Sequence, residues 1–361
     1  MTLHVFNPEH DIALAANLSN FTAPHAGRQL RHDLGFIPAL WADDGDCIFV
    51  DNPERAAYDY DRFVHSLNRQ LKDYSPVRKK YFPRWENKIP SSGIRKIQPW
   101  GWDVALKARL KRSGADDSLL PTDSQLDAIR QLSHRRTSTR LLPLLQCDGT
   151  VGEAFECQSE EEIRILLQRY DRLVLKAPWS SSGRGLRFVS HATFTTHQAG
   201  WLRNLFASQG SVMAEPFFDK EKDFGMEFYA TEDGKIRYEG LSLFHTSNGA
   251  YTGNILATKD KKCEMISRYI SIELLDSIKE KICDSLPAIL EGKYTGPFGV
   301  DMMVVKGERF LLHPCVEINL RRTMGHVALS LSPTDDEMVR VMRIEYAEGR
   351  YKLKVERVWD K

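Results

Sequence analysis

The stretch Glu317-Ile318-Asn319-Leu320-Arg321-Arg322 closes an apolar run that begins near Arg309, and it alternates polar with apolar residues. In a strand, residues i and i+2 share a face, so Glu317, Asn319 and Arg321 line one side as the strand ends. Upstream, Gly299-Val300-Asp301-Met302-Met303 sets one acid into an otherwise apolar strand over 299–305. Two carboxylates and an amide oxygen are the hard ligands that Mg²⁺ prefers, usually shared with substrate phosphates. Arginines beside such acids suit a site that holds several anionic groups together. Taken alone, the same residues are more often a paired-ion network at a strand end, and Pro314 calls for a bulge or an edge position.

Two further segments carry chemistry. The loop Trp179-Ser180-Ser181-Ser182-Gly183-Arg184-Gly185 follows a strand, 172–176, that ends in Lys176. Small residues there leave backbone N–H groups open to an anion, and Lys176 and Arg184 can add charge-assisted bonds. By itself the loop reads as a hairpin turn between strands 172–176 and 186–189. The second segment is Met213-Ala214-Glu215-Pro216-Phe217-Phe218, followed by Lys222-Asp223-Phe224-Gly225-Met226-Glu227. A strand edge interrupted by proline exposes backbone polar groups to a flat base, and Asp223 can accept hydrogen bonds from ribose hydroxyls. Aromatic residues in such a segment are more often core.

Working outward, the N-terminal third alternates strands with helices, which favours a parallel α/β layer. Strands are expected at 3–6, 36–42 and 47–50. Helices are expected after Pro24, ending at Gly35, and from Asp103 through Leu106 and Leu110 to Gly114. Residues 113–123 read as a linker. Beyond it, Leu126, Ile129 and Leu132 share a helix face, and Ser159 with Glu162 makes a capping box for a helix ending near Tyr170. Asp233-Gly234 is a hairpin turn between strands 224–230 and 236–243. Leu275, Ile278, Ile282 and Leu286 mark a helix that Pro287 disturbs. The chain shows no internal repeat and no dinucleotide or Walker-type glycine motif.

At 361 residues the chain has room for two or three domains. Apolar residues make up 42% and charged residues 27%, which excludes whole-chain disorder. The 50 basic and 49 acidic side chains leave a net charge of +1, without the footprint of a general nucleic-acid binder. The cluster Arg78-Lys79-Lys80 reads as a solvated face. No stretch approaches the ~18 apolar residues of a membrane span, and the N-terminus meets charge and proline too early for a secretory signal. Six cysteines without paired spacing argue against a zinc site or a disulfide framework. A cytoplasmic protein is expected, with no nucleic-acid or membrane partner.

Together and in this order, the segments resemble the ATP-grasp superfamily over roughly residues 133–330. The residues that carry the resemblance are Lys176 with Ser182-Gly183-Arg184-Gly185, the hinge at 215–218, Asp223, Asp301, and Glu317-x-Asn319-x-Arg321. The fold class it implies is α/β and α+β: an N-terminal α/β domain over 1–120, then a two-lobed ATP-grasp domain over 121–361. Its lobes would span about 121–210 and about 211–345. The resemblance implies ATP as cofactor, with Lys176 and one of Arg135 or Arg136 on its phosphates. The backbone near Phe217 would meet adenine, and Glu215 and Asp223 would hold the adenine amine and ribose. Asp301, Glu317 and Asn319 would coordinate Mg²⁺ or Mn²⁺, with Arg321 facing the transferred group. His245 falls where some members carry a histidine near the substrate. The activity implied is a ligase joining a carboxylate to an amine, on small molecules or peptides, through an acyl phosphate. A small-molecule kinase and a nucleotide-binding regulator are the alternatives. The loop at 7–11, with His25 and Arg28, is a candidate contributor to substrate binding.

Overall fold

The computed structural model describes residues 1–70, 83–180, 185–247, 250–334 and 338–358. The basic cluster Arg78-Lys79-Lys80 lies outside them.

The first layer contains β1 (Thr2–Val5), α1 (His10–Ala16), α2 (His25–Asp33), β2 (Cys47–Phe49), α3 (Pro53–Gln70), β3 (Arg84–Glu86), β4 (Lys96–Pro99) and α4 (Val104–Arg112). Its strands form a parallel sheet in the order β3-β2-β1-β4. Residues 36–42, expected as a strand, instead form a 3₁₀ turn over Ile37–Leu40. Pro38 cannot donate to a sheet ladder, and the amides of Ile37 and Ala39 bond three residues back to Leu34 and Phe36. The stretch 113–123 is packed, with Ala115 and Leu120 buried against Leu3, Val5 and Ile97 of the sheet.

The second layer follows with α5 (Asp123–Leu132), α6 (Arg136–Leu145), β5 (Phe155–Cys157), α7 (Glu160–Arg169), β6 (Arg172–Lys176), β7 (Leu186–Ser190), α8 (Thr196–Gln209) and β8 (Val212–Pro216). These strands form an antiparallel sheet in the order β5-β8-β6-β7, cored by Leu173, Leu175, Leu202, Leu205 and Val212. Ser159 caps α7 as expected, although Glu162 reaches back to the amide of Gln158 and not to that of Ser159.

The third layer comprises β9 (Lys220–Ala230), β10 (Ile236–Ser247), β11 (Ala250–Leu256), α9 (Lys259–Ser267), α10 (Ile272–Leu290), β12 (Gly296–Val305), β13 (Leu311–Asn319), α11 (Met324–Leu331), β14 (Arg340–Ala347) and β15 (Arg350–Arg357). A seven-stranded antiparallel sheet runs β13-β12-β9-β10-β11-β14-β15. Helix α10 continues through Pro287 to Leu290. A proline inside a helix costs ~3 kcal/mol, but the stripe Leu275, Ile278, Ile282 and Leu286 is buried along its whole length, and that burial outweighs the lost bond.

Alternation along this large sheet separates two kinds of face. Phe224, Met226 and Phe228 of β9 and Val300, Met302 and Val304 of β12 face α10 and α6 in the largest core. The residues between them, Asp223, Gly225, Glu227, Gly299, Asp301 and Met303, belong to the opposite face. Strand β13 is an edge, and its register with β12 shifts between Asp301 and Met303, beside Pro314. Both outcomes that a mid-strand proline allows are therefore present. The first layer and the C-terminal hairpin share a core, in which Phe36, Tyr60 and Phe63 meet Val327, Met342, Leu353 and Val355.

Candidate functional site

Asp301 and Glu317 are direct cross-strand partners, and Gly299 faces Asn319 in the next pair along the face. Asn319 donates from Nδ2 to Asp301 Oδ2 at 3.0 Å. Its Oδ1 accepts from Arg321 Nη2 at 3.0 Å. Burial pushes the Asp301 carboxyl up to about 8, and the carboxylates of Glu317 and Glu227 add to the shift against the opposing Arg321. Near neutral pH Asp301 therefore holds its proton, which a bound cation would displace, while Glu317 is paired with Arg135. Among the described residues no group of three or more His, Cys, Asp or Glu side chains is assembled to hold a metal. Two carboxyl groups with an amide oxygen nevertheless fit a hard divalent cation whose shell is completed by phosphates.

Arg321 reaches across to the first layer. Its Nε and Nη2 donate to Asp11 Oδ1 and Oδ2, both at 2.8 Å, in the two-point geometry that suits a guanidinium. Burial works against both charges. Arg321 still holds the Asp11 carboxyl below its usual range, and Asp11 in turn holds Arg321 above the usual arginine range.

Arg135 precedes α6 and joins the small sheet to the large one. Its Nη2 lies 2.7 Å from Glu317 Oε1, and its Nη1 donates to Ser180 Oγ at 2.7 Å and to the Ala177 carbonyl. Arg136 points elsewhere, 3.4 Å from Glu156 on β5. The structure therefore brings Arg135, and not Arg136, to the carboxylate face.

At the end of β6, Lys176 donates to Glu215 of β8 at 2.6 Å, and both side chains are buried. Beyond Glu215, the Phe217 amide donates to the Arg172 carbonyl at 3.0 Å. The Phe217 ring lies under the Arg172 guanidinium at 3.7 Å and beside Phe188. Phe218 presents its ring to His313 of β13, whose imidazole is buried and makes no hydrogen bond to the side chain of any other described residue. Burial and the nearby Lys176 hold that imidazole down to about 3. Asp223 is bonded by Lys220 and Thr246 and shares a cross-strand position with Met303, which in turn faces His313.

Of the loop after β6, Ser182, Gly183 and Arg184 lie outside the described residues. Its neck is described. The Ala177 amide donates to the Gly185 carbonyl at 2.9 Å, and a Cβ on Gly185 would come within 2.4 Å of Ser180 Oγ. Only glycine fits that approach.

A crevice opens among these groups, lined by His10, Asp11, Ser180, Glu317, Asn319 and Arg321. His245 is not among its lining residues; partial desolvation, with Lys222 and Arg343 nearby, lowers its pKa. His25 and Arg28 are exposed on α2 and also lie away from the crevice lining. Of the candidate loop at 7–11, His10 and Asp11 line the crevice, through partners about 90 and 300 residues away in sequence. Sequence reasoning missed Glu227. Glu227 is buried against Thr323 at 2.8 Å and His326 at 3.0 Å. Its one signal was an acid inside the apolar run of β9.

No protein-family model matches the chain, and neither does any curated protein. Among solved structures, the chain is similar to an ATP-grasp superfamily protein from Archaeoglobus fulgidus, at 13% identity and TM-score 0.48, covering 99% of this chain and 100% of that one. It is similar to N5-carboxyaminoimidazole synthetase from Staphylococcus aureus complexed with ADP, at 15% identity and TM-score 0.43. That alignment covers 70% of this chain and 66% of the synthetase, so the chain spans just under two thirds of that protein. A third is the biotin carboxylase domain of the Hydrogenobacter thermophilus 2-oxoglutarate carboxylase, at 12% identity and TM-score 0.46, covering 82% and 64% of the two chains. No helix of the described residues is long and apolar enough to cross a membrane.

Proposed function

We propose that the protein is an ATP-dependent ligase of the ATP-grasp type, joining a carboxylate to an amine through an acyl phosphate and releasing ADP and phosphate. One observation carries the reading. Arg135 ties Glu317 of the acidic sheet face to Ser180 and Ala177, at the neck of the loop after Lys176. A phosphate-binding loop and a metal-type carboxylate set thereby meet at one crevice, with Arg321 between them and the first layer.

In this reading the chain divides into an N-terminal domain, 1–120, and an ATP-grasp-like domain, 121–361. Nucleotide lies between the small sheet and the β9–β12–β13 end of the large one. Lys176 and Arg135 hold its phosphates, the segment at Phe217 flanks the base, and Glu215 and Asp223 fix the adenine amine and ribose. Asp301, Glu317 and Asn319 hold Mg²⁺, which supplies charge neutralisation at the transferred phosphoryl group. Arg321, fixed from behind by Asp11, stabilises charge that develops as the phosphoryl group moves. The ordered carboxylate–guanidinium pair removes the reorganisation that a free arginine would need at that moment. Closure of the small sheet over the crevice excludes water from the acyl phosphate.

The test is an ADP-release screen over amino acids, dicarboxylates and peptides at saturating Mg-ATP. ADP with equal free phosphate, dependent on both a carboxylate and an amine, is expected. A phosphorylated product without free phosphate would replace the ligase with a kinase. Nucleotide binding without any turnover would make the protein a regulator.

A further inference from the structure

The parallel sheet of the first layer places β1 between β2 and β4. The chain leaves β1 toward β2 on one side, while β4 flanks it on the other, so the loops after β1 and β4 part at the carboxyl ends of their strands. In open α/β sheets that divergence is where ligands bind. Here it holds a compact set of side chains. Asn7 donates from Nδ2 to the Gly101 carbonyl at 2.8 Å and to Asp103 Oδ2 at 3.2 Å. His10, only 1% exposed, has Nδ1 3.2 Å from the same Asp103 Oδ2. Asp103 is itself fixed, because its Oδ1 accepts from the Leu106 amide at 2.8 Å as the N-cap of α4. The His10 ring lies flat against Gly101, where a Cβ would come within 2.5 Å of it. Two contacts thus fix the ring, and its other nitrogen, Nε2, makes no hydrogen bond to any described residue. The crevice that His10 lines is the one lined by Asp11, Arg321, Asn319 and Glu317.

We propose that His10 is the catalytic base that takes the proton from the acceptor amine, with Asp103 as its positioning residue. The assignment rests on the ligase reading above and supplies the group that reading lacks. A carboxylate on Nδ1–H leaves Nε2 as the lone-pair nitrogen of a ring that lines the crevice. As the amine nitrogen bonds to the acyl carbon, the carbon–oxygen bond to phosphate breaks and phosphate departs with that electron pair. The proton released by the amine passes to Nε2. The imidazolium so formed faces the Asp103 carboxylate, which stabilises it. No other described His, Lys or Tyr lines this crevice. Glu317 and Asp11 are each already bound to an arginine.

Two measurements on the full-length protein test the assignment. Long-range ¹⁵N NMR of the imidazoles reads the tautomer directly, whatever the substrate. Protonated Nδ1 with bare Nε2 at His10 is expected, and Asp103→Asn, which keeps the helix cap acceptor, should shift the ring toward the other tautomer. A His10 protonated on Nε2 in the unmutated protein overturns the proposal. The second measurement compares two nucleophiles under Mg-ATP, using a pool of amino acids and dicarboxylates as carboxylate. Hydroxylamine attacks an acyl phosphate without needing a base, whereas an amino-acid amine needs one. In His10→Gln the ratio of hydroxamate to amide product should rise at least tenfold over the unmutated protein, and Asp103→Asn should raise it less. An unchanged ratio overturns the role of His10 while leaving the ligase intact. Neither product from the unmutated protein overturns the ligase reading, and with it the proton transfer assigned to His10.

Discussion

Replacing Lys176 by methionine removes the cation from a pair whose side chains are 9% and 11% exposed and whose Nζ and Oε2 are 2.6 Å apart. Methionine retains the unbranched apolar stem, so packing inside the small sheet changes little and the lost quantity is charge. Glu215 then keeps a buried carboxylate without its cation. Breaking a buried pair from one side costs about 3–5 kcal/mol. Lys176 and Glu215 sit on adjacent strands of the small sheet, so the loss should appear as early unfolding of that layer. Trp201 packs on its core, and the Trp179 amide is bonded to Gln209 of α8, so tryptophan fluorescence during urea titration reports on it. With a urea slope of about 1–3 kcal/mol per M, the midpoint should fall by at least roughly 1 M. Lys176→Met combined with Glu215→Leu removes both charges, and stability should return to within about 1 kcal/mol of the unmutated protein, because a well-packed apolar pair is often no worse than a buried ionic one. ATP affinity should stay low in both variants. A double variant as unstable as the sum of the two single ones would refute the argument that the cost is an uncompensated buried charge.

Arg321→Ala should leave ATP affinity within a few-fold and slow ADP release by roughly two orders of magnitude, or ~3 kcal/mol of barrier; calorimetric titration and ADP-release rates on a variant shown to be folded by circular dichroism decide it. Nucleotide binding should weaken when EDTA removes divalent metal, since Asp301, Glu317 and Asn319 supply only part of an oxygen shell that nucleotide phosphates complete; equal affinity in both conditions removes the metal assignment. His134 and His313 are buried and held down to about 3, His134 by burial with Arg136, Arg130 and Arg135 beside it, His313 by burial and Lys176. Their folded pKa lies below the unfolded value, so the unfolded chain gains protons first as pH falls, and stability present above about pH 6.5 is lost toward pH 3. That loss is about 2 kcal/mol per histidine between pH 7 and pH 5, measurable by urea titration at the two pH values, and a His134→Gln, His313→Gln chain should show a correspondingly shallower fall.

Local patterns in this chain translate into local structure with few exceptions. Asp103 caps α4, the stripe from Leu275 to Leu286 is one face of α10, and Asp233-Gly234 joins β9 to β10. The exceptions are cases where tertiary packing overrides a local signal, as at Pro287, or where proline removes a donor from an apolar run, as at Pro38. Longer-range features are silent in the sequence for a different reason. The order β13-β12-β9-β10-β11-β14-β15 places the last hairpin beside β11, and the pairing of β11 with β14 is a property of the folded sheet.

The same division runs through the candidate site. Asp301, Glu317, Asn319 and Arg321 are visible because strand periodicity puts residues two apart on one face, and such short-range regularity survives in a list of letters. Arg135 and Arg136 cannot be told apart that way, because neighbours on a helix point about 100° apart and either can face the sheet. The structure separates them by their partners, Glu317 for one and Glu156 for the other. His10, Asp11 and Asp103 are further from legibility: Asp103 shows locally only as the cap of α4, and the partners that join His10 and Asp11 to the site are distant in sequence. Their meaning comes from two loops that part at the end of a parallel sheet and from an arginine about 300 residues away. A site assembled from three sheets is thus readable in proportion to how much of it one strand carries. Here the acidic edge was carried by β12 and β13, while the proposed acceptor side is distributed over α1, α4 and their loops.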